Sequence, residues 1–429
     1  METRSKLNKN ISLLCILFLS GALIYTLPYF HFYYYDAFKS TFKMTNTEVG
    51  LCGSYYGLLG MVSYLIGGII ADRISIKILI PGSLIVTGAL GLYLLTIPSP
   101  ITVAIIHGIW GITSLMTFWP ALIKALRLVG NSDEQSKVFG IFEGGRGVTN
   151  AVILAIAAAL FMHFTASGNN TQSVLSIIIL YSVSTIILGV LNIFLLRRIK
   201  ETSNGTSTSG SFNFKMIGTV LKKPGIWLMS GIVFCTYMIN ISYYYIAPYA
   251  SAAFGVSVLA AAIISSSSQY IRPVSALSSG FLGDRIGSSK VMLIGQIVSL
   301  VGLIIVLITP IHSTVVFVMI GCVLIYAAMY TTQSMHFAIM EEIDIPAEIS
   351  GTAIGIVCTL GYLPEVLSPM FSGRILDHYG KGLEGYRLIF ILLIVFTITA
   401  TLLTAIWIRQ TKVKRSEILS LHKKVVEQI

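Results

Sequence analysis

Gly68-Ile69-Ile70-Ala71-Asp72-Arg73-Ile74 returns 212 residues later as Gly280-Phe281-Leu282-Gly283-Asp284-Arg285-Ile286, each copy closing one apolar run just before another opens. The offset is half of a 429-residue chain, so the repeat marks duplication of a multi-helix unit rather than a local coincidence. Tyr33-Tyr34-Tyr35 and Tyr243-Tyr244-Tyr245 carry the same signal at an offset of 210 residues. Each trio sits at the outer end of an apolar run, where aromatic rings serve equally well as an interfacial belt or as cavity lining.

Between and around the two copies, 55% of residues are hydrophobic and only 11% are charged. A soluble core cannot hide so much apolar surface, so the chain is expected to be an all-α membrane protein. Crossing about 30 Å of hydrocarbon takes about 20 helical residues. Twelve runs meet that length, near 11–34, 48–70, 78–97, 101–126, 137–162, 173–196, 225–250, 257–282, 290–309, 313–340, 350–373 and 387–408. The first run shows no small-residue cleavage site and is read as span 1 rather than as a secretory leader. The halves are expected at 1–196 and 223–408, joined by a cytoplasmic linker at 197–222 rich in Ser, Thr, Asn and Gly, with a basic tail at 409–429 that suits an interfacial helix.

Basic residues set the orientation. Of 29 Lys and Arg residues, 22 fall with the termini and the even-numbered connections, five fall on the opposite side, and Arg146 and Arg272 remain within spans. Both termini are therefore expected in the cytoplasm of a bacterial-type cell, with the chain in the inner membrane. The net charge of +11 reads as a topogenic signal that also suits anionic lipid heads, and no nucleic-acid partner is needed to explain it. All five cysteines lie in apolar spans and read as packing residues.

Twelve spans, a polar central linker and the Gly-x-x-x-Asp-Arg pattern after spans 2 and 8 resemble the major facilitator superfamily over nearly the whole chain. Gly351-Thr352-Ala353-Ile354-Gly355 with Gly361-Tyr362-Leu363 on span 11 is similar to the organophosphate:phosphate antiporters and their nitrate/nitrite neighbours. The resemblance implies two pseudo-symmetric six-helix bundles around a central cavity flanked by spans 5 and 8, a monomer, and no cofactor. The first loop departs from the family pattern with Ser75 where the second has Gly287. Tyr29 and Asn240 stand near the positions where organophosphate antiporters carry substrate arginines, so a sugar phosphate is not implied. Phe142-Glu143-Gly144-Gly145-Arg146-Gly147 lacks the proline of the drug:proton antiporter motif, which disfavours drug efflux.

Charge inside a span costs at least about 2.5 kcal/mol on insertion scales and marks a functional position. Glu143, Arg146, Arg272 and Glu365 are the four such residues. Arg146 lies about 14 Å into span 5, near mid-bilayer. Glu143 sits three residues before it on the same face, so a purely internal ion pair competes with a binding role. Neighbouring Gly144, Gly145 and Gly147 allow another helix or a ligand close to the backbone beside the guanidinium, whose paired N–H donors suit an oxyanion. Arg272 precedes Pro273 near the middle of span 8, and its bland alternative is neutralisation of Glu143 or Glu365. Glu143 and Glu365 are the candidates for proton coupling. Substrate-binding candidates are thus Arg146, Arg272, Tyr29, Asn240, Tyr244, Trp119 and Gln333, with Tyr25, Tyr237, Lys124, Tyr330 and His336 behind them. His31, His107 and His163 show no metal-ligand spacing, and no metal is expected.

Asp72-Arg73 and Asp284-Arg285 are expected to gate, their carboxylates holding helix ends and closing the cytoplasmic side. The expected function is secondary transport of a small, anionic solute by alternating access, with import favoured and with proton coupling or exchange both open. Export of a metabolite or drug-like compound, or a sensor with a transporter fold, are the alternatives. No nucleophile and base stand together at mid-depth, so an enzyme is not expected.

Overall fold

The computed structural model describes residues 6–130, 135–165, 170–197, 218, 220–310, 315–336, 338–343, 347–380 and 382–426. Most of the linker expected at 197–222 lies outside them. The described residues form helices and no strand. In chain order these are α1 (Ile11–Leu23 and Thr26–Tyr33), α2 (Asn46–Arg73), α3 (Ile76–Tyr93), α4 (Pro100–Gly111, Ile112–Phe118 and Trp119–Val129), α5 (Gln135–Thr165) and α6 (Asn170–Leu196). The second set is α7 (Pro224–Ser242, Tyr243–Tyr245 and Ile246–Phe254), α8 (Val258–Ile286), α9 (Ser288–Ile308), α10 (Val316–Met335), α11 (Ala347–Gly361 and Pro364–His378) and α12 (Glu384–Gln410), followed by the tail helix α13 (Lys412–Val426). Among the described residues, eight of these are long and apolar enough to cross a membrane, and nine with bent α1 taken as one span. The chain divides into two compact units, Met1–Thr208 with Val258–Ile263, and Ser209–Ser257 with Ile264–Ile429.

Several spans are interrupted where the sequence frees a backbone carbonyl. α1 bends by 43° at Ile24-Tyr25, where Pro28 cannot donate to Ile24 and Thr26 turns its hydroxyl back onto the Leu23 carbonyl at 2.7 Å. In α4 the stretch Ile112–Phe118 widens into a π-helix just before Pro120, which removes the donor for Met116. α11 stops at Gly361 and restarts at Pro364, so the apolar run at 350–373 is two helices and not one.

The first unit is centred on Leu14, Leu17, Leu84, Phe118, Leu122 and Phe142. Gly145 of α5 packs flat on α1, because a Cβ there would lie 2.5 Å from the Phe18 ring. The second unit is centred on Ile226, Met229, Val233, Met292, Val357 and Trp407. There α9 and α10 cross through Gly302 and Gly321, each facing the other's carbonyl oxygen at about 3 Å from an ideal Cβ, the close backbone approach that small residues permit between membrane helices.

The two Asp-Arg loops resolve their backbone differently, which accounts for their divergent sequences. After Arg73, Ser75 takes an extended conformation and its hydroxyl accepts the Lys77 N–H at 3.2 Å, starting α3 with a side-chain cap. After Arg285, Gly287 has φ of +95°, and an added Cβ would lie 2.7 Å from Arg415 Cδ. Arg415 comes from the tail helix and is only 6% exposed. It is therefore not the solvated topogenic charge that the tail's composition suggests. Its guanidinium lies 3.6 Å from Glu342 and donates to Ser289 Oγ, Thr411 Oγ1 and the Ile408 carbonyl. Glu342 in turn accepts from the Ser289 N–H, Trp407 Nε1 and Thr411 Oγ1 at 2.9–3.1 Å. One buried ion pair thus ties α9, α12, α13 and the Ala338–Glu342 turn together.

Candidate solute-binding site

In the first unit Arg146 is carried by α5 with its side chain 12% exposed. Its guanidinium carbon stands 5.5 Å from the Trp119 ring centre and 5.7 Å from that of Phe142. Trp119 continues into an aromatic series, with Tyr25 at 6.3 Å, then Tyr29 at 6.4 Å, then Tyr56 at 5.2 Å, whose hydroxyl bonds Ser114 at 3.0 Å. Glu143 reaches Arg146 with one oxygen at 3.4 Å while its own side chain is 53% exposed. The internal pair therefore exists, but its carboxylate is not sealed in. A Cβ added at Gly144 or Gly147 would meet nothing within 4 Å, so the space beside the arginine is open as the glycines suggest. Lys124 of α4 instead caps α2, donating to the Ala71 carbonyl at 2.8 Å, where a cation offsets the negative helix end.

In the second unit Arg272 of α8 sits over Tyr330 of α10 at 5.6 Å. Gln269 Nε2 donates to the Tyr330 hydroxyl at 3.1 Å, and the Tyr243 hydroxyl lies 3.3 Å from Ser268 Oγ. Ser265, Ser268, Arg272, Ser275 and Ser279 follow one another at steps of three or four residues, so α8 presents one hydroxylated face with the guanidinium at its centre. On the other side Val274, Leu277 and Phe281 are exposed and apolar. Among the described residues of this unit no carboxylate pairs with Arg272, Glu365 included. Neutralisation by Glu365 is thus not what holds it.

The supporting aromatic stands at a corresponding place in both units. Trp119 and Tyr330 are 211 residues apart, between the offsets of 210 and 212 that the tyrosine trios and the Asp-Arg loops show, so corresponding positions on α4 and α10 receive a guanidinium in each half. The arginines themselves come from non-equivalent helices, α5 and α8, which is why comparison of the arginine positions alone does not reveal the relation.

Other expected residues are placed as follows. Asn240 of α7 is 8% exposed, and neither its amide oxygen nor its nitrogen has a hydrogen-bond partner. Tyr244 is buried against Tyr243 at 3.9 Å. Glu365 is 8% exposed and Gln333 is exposed. Tyr34, Tyr35, Tyr243, Tyr244 and Tyr245 are all less than 8% exposed and Tyr33 is half-buried, so five of the six tyrosines pack in the interior of their units. Arg73 and Arg285 are exposed at the ends of α2 and α8, whereas the side chains of Asp72 and Asp284 lie outside the described residues.

Two of the histidines that look scattered in sequence meet in space. His31 and His107 are edge to face with ring centres 4.8 Å apart, within a box that includes Phe38 and Trp110. His107 Nδ1 is 2.8 Å from the Val103 carbonyl and so carries the proton, which leaves Nε2 without a partner. Neither nitrogen of His31 makes a hydrogen bond of good geometry, its approach to the Pro28 carbonyl included. Bare buried nitrogens cost stability, and an apolar ring of similar shape removes that cost. His31→Phe is accordingly expected to raise the thermal midpoint of the purified protein, by about 1 kcal/mol in stability terms. A fall of the midpoint would mean that the imidazole is held by a group not evident in this packing.

The Major Facilitator Superfamily model matches this chain twice, over residues 11–271 and 229–427. The chain belongs to that superfamily. It is 26% identical over 418 residues to the inner membrane protein YihN of Escherichia coli K12, covering 96% of this chain and 98% of that one. Identity to the inner membrane protein YqcE of the same organism is 29% over 389 residues, with 87% and 89% covered. Among solved structures, a bacterial homologue of the lysosomal transporter Spinster, inward-facing and occupied, shares the fold with a TM-score of 0.75 at 16% identity, over 95% of this chain and 98% of that chain. A point variant of the nucleoside transporter NupG matches with a TM-score of 0.73 at 13% identity, over 92% and 98%. The protein is therefore a membrane transporter of the facilitator fold and not an enzyme, and the second match over 229–427 falls on the half that carries the repeated Asp-Arg motif.

Proposed function

We propose that this transporter moves a small anionic solute across a bacterial inner membrane by alternating access, with Arg146 and Arg272 as its binding charges. The observation that carries the reading is Arg272, a guanidinium within a membrane span that rests on an aromatic face, shares its helix face with serines and has no carboxylate partner among the described residues of its own unit. A cation in that setting is stabilised by an anion that arrives with the cargo, and its planar fork suits a carboxylate, phosphate or similar oxyanion. Arg146 supports the same reading from the other unit, because its counter-ion Glu143 is exposed enough to yield to a solute. Tyr29, Tyr25 and Trp119, with Asn240 and Tyr244, supply the hydroxyls, rings and amide that would orient the rest of the molecule. The names of YihN and YqcE as inner membrane proteins support the location.

The test is a thermal-shift screen of the purified protein against inorganic phosphate, nitrate, carboxylates and acidic sugars, followed by uptake of each hit into proteoliposomes. A ligand stabilises the state that binds it, so at least one anion should raise the midpoint in proportion to the logarithm of its concentration. Stabilisation and uptake confined to neutral or cationic compounds would overturn the anion assignment.

A further inference from the structure

We propose that the break in α11 is a sodium-binding site formed with Asn240 of α7. The backbone supplies the first ligands. Tyr362 N–H bonds Cys358, Glu365 N–H bonds Tyr362 and Val366 N–H bonds Leu363. Pro364 has no N–H to give to Leu360, and the donor that would ordinarily reach Gly361 has gone to Tyr362. The carbonyls of Leu360 and Gly361 are thereby released inside a span, where lipid offers no substitute for a lost hydrogen bond and a cation or water must take its place.

The side chains follow within two turns along the same α7–α11 interface. A Cβ at Gly361 would lie 2.5 Å from Val233, so the break itself lies against α7. Above it Tyr237 stacks on Tyr362 at 4.4 Å, and further along Ser242 bonds Ser368 at 2.5 Å. α7 and α11 therefore run side by side in one direction, and the register between those contacts sets Asn240 level with the first turn of Pro364–His378, where Glu365 is. Asn240 is more than nine-tenths buried with its amide oxygen unclaimed. Glu365 is equally buried, and its carboxylate lies within electrostatic reach of Tyr362. Two carbonyls, an amide oxygen and a carboxylate are hard donors. One carboxylate among neutral oxygens balances a monovalent ion, whereas calcium or magnesium would leave uncompensated charge and would call for more carboxylates or retained waters.

The site stands on the second unit alone, and its role as the coupling ion rests on the transport reading above. Its test needs no transported solute. The thermal midpoint of the detergent-purified protein is measured in about 100 mM NaCl, KCl or choline chloride at one pH, so that ionic strength is shared. Sodium is expected to raise the midpoint by several degrees over both other salts and to saturate on titration. Asn240→Ala and Glu365→Gln are expected to lose that rise while keeping a single midpoint in KCl, and Asn240→Asp, which keeps the oxygen, to retain it. Equal midpoints in all three salts would overturn the site, as would a full sodium response in Glu365→Gln or a response to pH alone. If Glu365→Gln does not fold, the two Asn240 variants decide. A failed sodium response leaves the anion assignment untouched, and a failed anion screen leaves the sodium site untouched.

Discussion

Glu342→Ala is expected to cost the second unit about 3–5 kcal/mol, because it breaks a buried ion pair. The carboxylate is 3% exposed and the Arg415 guanidinium 7% exposed, so water cannot replace either partner. Removing Glu342 leaves Arg415 as a buried cation and also strips the acceptor from the Ser289 N–H, Trp407 Nε1 and Thr411. Thr411 keeps the Trp407 carbonyl as an acceptor, so the orphaned Ser289 and Trp407 N–H groups and the unpaired guanidinium together account for the loss. Two further variants separate charge from shape. Glu342→Gln keeps an acceptor without the charge and should fall between wild type and alanine, and Glu342→Met with Arg415→Leu removes both charges and should recover much of the loss. The midpoint of urea or thermal unfolding, read on the detergent-solubilised protein, gives all three. If the single and double variants were equally unstable, packing of the tail helix and not the ion pair would be the source of stability.

That pair also shows what the residues alone conceal. The fold was legible from Asp72-Arg73 and Asp284-Arg285, because a motif at the ends of apolar runs repeats at the period of the duplication, and apolar length is the dominant constraint in a bilayer. The open space beside Arg146 was legible from Gly144 and Gly147. Glu342 and Arg415 carry no such period. They are 73 residues apart in polar connections, where charge reads as topogenic until the chain is seen to fold back at Thr411. The meeting of His31 and His107 was hidden for the same reason, since no spacing rule links the end of α1 to the start of α4. The α11 break had its signal in Gly361 and Pro364, yet a proline in a long apolar run equally announces a simple kink. Trp119 and Tyr330 share an offset of 211 residues, but a tryptophan facing a tyrosine carries no motif that marks the pair.

Arg272→Ala is expected to have the opposite effect on stability and a far larger one on transport. Without its solute the wild-type side chain is a cation in a membrane span that no carboxylate among the described residues of its unit neutralises. Removing it relieves that cost, so the thermal midpoint of the empty protein should stay level or rise, the usual sign of a group retained for function at the expense of stability. Uptake should fall by about 3–4 kcal/mol in transition-state terms, on the order of 10² to 10³ in kcat/KM, because truncating one partner of a desolvated charge pair leaves the other unpaired. Arg272→Lys keeps the charge but loses the planar fork and the stacking on Tyr330, and should retain some uptake at a raised KM. Arg146→Ala should weaken uptake too, with little change in stability, since it frees a carboxylate at Glu143 that is already 53% exposed. Proteoliposome uptake of the anion that stabilises the wild type, measured beside the midpoint of each variant, separates these outcomes. Full uptake by the folded Arg146→Ala, Arg272→Ala double variant would remove both guanidinium groups from the binding site.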